Sequence, residues 1–332
     1  MKVDVFCHIL PKRYKEELYR KAPPKFYSSK YADATQSLID LDARFRVMDK
    51  YSDYVQVLSL GSPPPENVLS PTEAAELCKI GNDELAELVF KYPDRFVGAV
   101  ASLPMNDVDA AVKEADRAIK DLRLRGVQIF TDINGKPIDA KEFLPLYERM
   151  QYHNLPILIH PRRQSNTPDY PGESASKYLV WTIFGWPYET SVAMTRLVGS
   201  GIFEKFPNLK VLSHHAGGMI PYFAKRIQIS NDFNEMRLGL RYETHLTKSP
   251  LEYFRMFYGD TAVYGNTSAL MCAYHFFGAD NMLFATDMPY DNQSGNRFIY
   301  ETIRSIENME VSAIEKNKIF EENPRRILRL PV

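Results

Sequence analysis

The sequence predicts an α/β fold, a (β/α)8 TIM barrel with helical insertions in its loops, on three observations. Eight short apolar runs recur along the 332 residues, and most are continuously apolar, as parallel strands buried on both faces require. The segments between them are each long enough for a crossover helix. No GxGxxG fingerprint follows any run, which removes the main support for the runner-up, a doubly wound open sheet with a dinucleotide site.

In chain order, the first strand is expected at Val3 to His8 and the second at Val55 to Leu60, where Gly61, Ser62 and Pro63 to Pro65 break it. The third covers Phe96 to Ser102 and is followed by a helix from Asp107 to about Leu122. There Ala111, Ala115, Ala118 and Ile119 share one side and charges the other. A fourth strand ends at Phe130, followed by an amphipathic stretch around Lys141 to Tyr152. The remaining strands are expected at Pro156 to His160, Leu209 to His215, Met256 to Thr261 and Met282 to Asp287. No linker divides the chain, so residues 1–332 are read as a single domain. An insertion around residues 162–188, carrying Trp181, Phe184, Trp186 and Tyr188, reads as a lid or, equally, as a subunit contact.

Composition narrows the function classes. Lys plus Arg total 41 against 42 Asp plus Glu, a net charge of −1. Together with the lack of a basic–aromatic stripe, that balance argues against nucleic-acid binding. Three cysteines form neither a disulfide framework nor a CxxC zinc knuckle. No apolar stretch approaches membrane-spanning length, and the N-terminal MKVDVFCHILPKRY lacks a secretory pattern. A cytoplasmic protein with a small-molecule substrate, and no membrane partner, is expected.

In a barrel, chemistry collects at the C-terminal ends of the strands. Those ends carry His8, His160, His214, His215, Asp260 and Asp287, whereas His153, His245 and His275 fall in expected helices or loops. Closure makes the first and last strands neighbours, so His8 and Asp287 can converge. Two imidazoles and a carboxylate form a three-ligand set that leaves positions open for water and substrate. A buried structural polar cluster is the plainer alternative.

Five stretches together resemble the amidohydrolase-related metal-dependent family that includes aminocarboxymuconate semialdehyde decarboxylase and the dihydroxybenzoate decarboxylases. They are VDVFCHILP, ARFRVMDKYSDYVQVLSL, LPILIHP, FPNLKVLSHHAGGMIPYFAKRI and ADNMLFATDMPYD, and KIFEENPRRILRL resembles the family's closing helix. The resemblance implies one divalent ion, zinc first with manganese or magnesium as alternatives, bound by His8, His160 and Asp287. It implies His215 as the catalytic histidine, acting with Asp287, and a homodimer or homotetramer.

The first strand of such enzymes commonly carries an acid or His two residues before the His that matches His8. Here that position is Phe6, which cannot ligate. Three readings follow: metal held by the remaining three ligands, a weakly metallated acid–base site, or a non-catalytic binding or scaffold protein. His214 is expected as a second-sphere or core group, with a replacement ligand on a bent backbone as the other option. Cys7 should point away from the face carrying His8. Asp260 would orient an imidazole or form a plain salt bridge. Arg162 and Arg163 are placed to reach a substrate carboxylate, while Arg44 and Arg46 are expected on a solvated helix face. Non-oxidative decarboxylation of a small aromatic or unsaturated acid is the leading reaction. Metal-dependent hydrolysis of an amide, ester, lactone or activated diketone is the alternative.

Overall fold

The computed structural model describes residues 1–24, 26, 29–240, 242, 244 and 246–331, so His245 lies outside the described residues. The expected strands form in order: β1 (Lys2–Ile9), β2 (Tyr54–Leu60), β3 (Phe96–Ala99, continued by Ala101–Ser102), β4 (Val127–Phe130), β5 (Ile157–His160), β6 (Val211–Ser213), β7 (Tyr258–Asp260) and β8 (Met282–Leu283). Each pairs in parallel with its successor. The barrel closes where the Val5 N–H donates to Phe284 O at 3.0 Å, Asp287 N–H to Phe6 O at 3.2 Å and His8 N–H to Met288 O at 2.9 Å.

The helices that position the site are α1 (Leu41–Met48), α2 (Pro71–Lys91), α3 (Val108–Lys120), α4 (Leu144–His153), α5 (Gly185–Gly199) and α6 (Ile220–Leu238). The Asp107 side chain accepts the Ala110 N–H and starts α3, which buries Ala111, Ala115 and Ala118 as its spacing predicts. A capping box of Ser70 and Glu73 starts α2.

Two apolar shells result. Val3, Val5, Val57, Val100, Leu158, Leu212 and Leu283 fill the barrel interior, and Ile327, Leu328 and Leu330 of the closing segment pack against them. Cys7, Ile9, Leu58, Leu60, Ile157 and Ile159 face outward into the strand–helix layer. A bulge in β1 adjusts this alternation. Asp4 pairs with Gln56 but Cys7 with Leu58, so β1 carries one extra residue. Phe6 therefore joins Val5 inside the barrel, Cys7 turns outward, and His8 can turn inward again.

Three expectations change. The sixth strand ends at Ser213 rather than His215, and the eighth at Leu283 rather than Asp287. Arg44, expected on a solvated face, is fully buried. Its Nε donates to Gln56 Oε1 at 2.7 Å, and its Nη1 to His8 O at 2.8 Å and Ser37 O at 3.3 Å. An amphipathic pattern assigns a charged residue to solvent by default; here three oxygens, from β1, β2 and the segment before α1, draw the guanidinium inward. Arg44→Ala should lower unfolding free energy by about 3 kcal/mol by stranding those acceptors. Arg44→Lys should recover little of it, because one ammonium cannot span the three. Urea denaturation of both variants beside the parent protein measures this.

Candidate metal and acid–base centre

Four side chains from different strand ends, His8, His160, His214 and Asp287, each offer a ligand atom within 4.8 Å of the others, and all four are buried. His8, at the end of β1, places Nε2 3.1 Å from Asp287 Oδ1 and Nδ1 3.1 Å from Ser59 Oγ. His160, the last residue of β5, gives its Nδ1 proton to Pro161 O at 2.7 Å, leaving Nε2 as an acceptor. His214 binds the Asp260 carboxylate through Nδ1, and its Nε2 lies 3.2 Å from Asp287 Oδ1. Each imidazole thus has one nitrogen engaged by an outer group, the arrangement that fixes tautomer and ring orientation around a metal ion. Three imidazoles and one carboxylate suit a divalent transition ion.

His214 is placed within this cluster, the position that the bent-backbone option for it requires. Because β6 has ended, His214 and His215 do not alternate. His214 stays extended, whereas His215 and Ala216 take φ of 53° and 54°. Both rings reach the site, with centroids 4.0 Å apart. Gly218 (φ 60°) continues the turn where a Cβ would strike Pro187 O. Asp260 ties this turn to the cluster: Oδ2 meets His214, and Oδ1 accepts the Ala216 N–H at 2.9 Å and the Ala262 N–H at 3.1 Å.

His215 Nε2 lies 3.2 Å from the Tyr264 hydroxyl, which donates to Asp287 Oδ2 at 3.2 Å. The run His215–Tyr264–Asp287 is a candidate proton path beside the ligand cluster. Burial lowers the His215 pKa, and neighbouring His214 adds to the effect. Burial likewise holds His160 well below the ordinary histidine value, assisted by His8 and His214. Burial alone would lower His214 too, but Asp260 and Asp287 carry it up to about 10. Burial alone would raise Asp287, yet His214, with hydrogen bonds from His215 and His8, holds it well below the usual carboxylate range.

Aromatic rings enclose the cluster. Phe6 stacks on His214, with centroids 4.0 Å apart at 20°. Phe130 and Trp186 flank His160, Trp186 lies parallel to His215, and Tyr290 flanks His8. A cavity of about 340 Å³ lined by Tyr264, Asp291, Asn292, Arg297, Phe298 and Glu301 opens alongside. Sequence reasoning missed Tyr264, Ser59 and Tyr290. Tyr264 had one signal, its position in the loop four residues past Asp260. Cys7 is turned away as alternation predicts, its Sγ near Asp4 O and Tyr54 OH.

The two arginines after His160 are engaged in ion pairs. Arg162 meets Asp132 at 2.5 Å, and Arg163 meets Glu189 at 3.3 Å while donating to Pro168 O. Near Arg162, Glu66 is buried in the loop after β2.

Residues 3–330 match the family model described as amidohydrolase. The chain is 32% identical over 303 residues to a gamma-resorcylate decarboxylase of Polaromonas sp. strain JS666, covering 88% of this chain and 89% of that protein. It superposes on the crystal structure of 2,6-dihydroxybenzoate decarboxylase from Rhizobium with a TM-score of 0.82 at 27% identity, covering 99% of this chain and 98% of that one. A dihydroxybenzoic acid decarboxylase from the same Polaromonas strain, solved with manganese and 2-nitroresorcinol, superposes at 0.80 and 27% identity, covering 99% and 96% of the two chains.

Glu66 gives this rim a pH signature. Burial pushes its carboxyl from 4.5 up to about 8, against a smaller opposing pull from Arg162. A pKa raised in the folded state contributes stability that is fully present below about 4.5 and lost as pH rises through about 8. The whole window is worth on the order of 5 kcal/mol. Glu66→Gln should therefore gain stability relative to the parent between pH 5 and 9, read from urea midpoints across that range.

Proposed function

The chain belongs to the amidohydrolase family, and from that premise we propose that it is a metal-dependent, non-oxidative decarboxylase of a small hydroxylated aromatic acid. The observation that carries this reading is the contact of Asp287 with both the imidazole cluster and the His215–Tyr264 pair. A charge-holding centre and a proton-handling centre share one carboxylate. Its relatives' names support the substrate class: gamma-resorcylate and 2,6-dihydroxybenzoate are ring acids with hydroxyls beside the carboxylate.

His8, His160 and Asp287 would hold the divalent ion. Zinc and manganese are the candidates, manganese being the ion in the Polaromonas decarboxylase structure. When bound, such an ion supplies charge screening and orientation for a substrate carboxylate and its neighbouring oxygen. The remaining work falls to this chain's side chains. Phe130, Trp186 and Tyr290 present ring faces and edges that exclude water and sandwich an aromatic substrate. The 162–188 insertion contributes Trp186 to that wall and acts as a cover over the mouth, with Arg162 or Arg163 exchanging its carboxylate partner for substrate. Asp287 or His215 delivers a proton to the ring carbon that bears the carboxylate, and Tyr264 links the two. The bond from that carbon to the carboxylate then breaks, its electron pair returns to the ring, and carbon dioxide leaves. Carboxylate plus proton gives arene plus carbon dioxide, with no water consumed.

Cytoplasmic residence and a homodimeric or homotetrameric assembly belong to the same reading. No helix among the described residues is long and apolar enough to cross a membrane. Tyr222, Ile229, Phe233 and Met236 lie exposed along α6, which supports burial of that helix in an assembly.

The test is turnover of 2,6-dihydroxybenzoate and related hydroxybenzoates by manganese-loaded protein in deuterium oxide. Carbon dioxide release with one deuterium at the vacated ring carbon is expected. Ester or amide cleavage with water oxygen in the product, and no carbon dioxide from any acid, would replace this reading with hydrolysis. His215→Asn should lower kcat by about 10²- to 10⁴-fold with a smaller change in KM.

A further inference from the structure

Resting on the reading of this cluster as a metal centre, we propose that His214 supplies the fourth protein ligand through Nε2, replacing from the end of β6 the donor that Phe6 withholds on β1. Four observations meet at this residue. Its side chain is completely buried, and Nε2 makes no hydrogen bond but lies 3.2 Å from Asp287 Oδ1, so both atoms are directed at one point where an ion would be shared between them. That nitrogen is not remote: His214 is one of the four residues whose ligand atoms lie within 4.8 Å of one another. The opposite nitrogen is committed to Asp260, itself locked by the Ala216 and Ala262 amides, so the ring cannot swing away from the cluster. Finally, the Phe6 ring lies parallel to the His214 imidazole with centroids 4.0 Å apart.

The last contact explains the exchange sterically. The β1 bulge places Phe6 inside the barrel beside His8 and His160, with ring centroids 5.5 and 6.0 Å away. A phenyl ring there fills the space of a β1 donor and braces the flat face of His214. Donor number is conserved while its origin moves from one strand to another. The site becomes three imidazoles and one carboxylate, with Asp260 as the outer carboxylate that keeps the His214 ring oriented and basic.

The experiment uses metal-free full-length protein titrated with Mn(II), followed by pulsed electron paramagnetic resonance to count coordinated imidazole nitrogens. The parent protein should bind one ion with three such nitrogens. His214→Gln should show two and bind Mn(II) more than about 100-fold more weakly, beyond the roughly 10- to 100-fold loss typical of an outer-sphere partner. Phe6→Glu combined with His214→Gln returns a donor to β1 and should regain most of that affinity while still showing two imidazoles. Melting curves of the metal-free proteins establish folding, and His214→Asn replaces His214→Gln should the latter fail to fold. Two nitrogens in parent and variant alike would overturn the assignment of His214 while leaving the metal centre intact. No stoichiometric ion in the parent would overturn the metal centre itself, and this proposal with it.

Discussion

The seam between β1 and β8 is the constraint on which the site depends, and a buried carboxylate holds it. Asp4 Oδ1 accepts the Thr286 N–H at 3.0 Å and the Phe6 N–H at 3.3 Å, and Oδ2 accepts the hydroxyls of Thr286 and Tyr54 at 2.5 Å each. Burial raises the Asp4 pKa, and these hydrogen bonds oppose the rise. An unpaired carboxylate in this position would be costly, so the four donors specify the register of β8 against β1. Thr286 directly precedes Asp287, and His8 lies one helical-turn's length of sequence past Asp4. The seam therefore fixes the 3.1 Å meeting of His8 with Asp287. Arg44 secures the same place from outside by holding the His8 carbonyl. A bound ion would find its donors already gathered.

Much of this centre was legible in the sequence, for a simple physical reason. His8, His160 and Asp287 stand at the C-terminal ends of apolar runs, and parallel-barrel geometry sends such positions to one rim. The alternation of β1 was also readable at Cys7 and His8. What alternation does not encode is where a strand stops. His214 and His215 face the same site because regular pairing ends at Ser213 and His215 enters the left-handed region. One residue of strand length decides whether His214 faces the core or the site. Phe6 entering the interior beside Val5 likewise needs the bulge, which shows only in the pairing of β1 with β2. Arg44 and Tyr264 are harder still, because their partners come from distant segments and no local period marks them.

The conformations of the site residues carry the final step. His215, Ala216, Tyr264 and Asp287 all have positive φ, at 53°, 54°, 53° and 66°. Each non-glycine residue in that region costs on the order of 1–3 kcal/mol and persists only where its surroundings over-determine it. Those restraints are visible: Asp260 holds the Ala216 amide, Phe6 O holds the Asp287 amide, and Tyr264 is held by hydrogen bonds to both His215 and Asp287. Strain is concentrated where proton handling and charge meet, and it is met by hydrogen bonds from the strand residues Asp260 and Phe6 and from within the cluster itself. Fixed dipoles and donors lower a barrier most effectively when they need not reorganise, and restraints of this kind favour that. On this reading the rigid cluster sets the chemistry. Under the proposed function, discrimination among aromatic acids would fall to the wall around it, where Trp186, Phe130 and Tyr290 would shape the space and the ion-paired Arg162 and Arg163 would exchange one carboxylate for another.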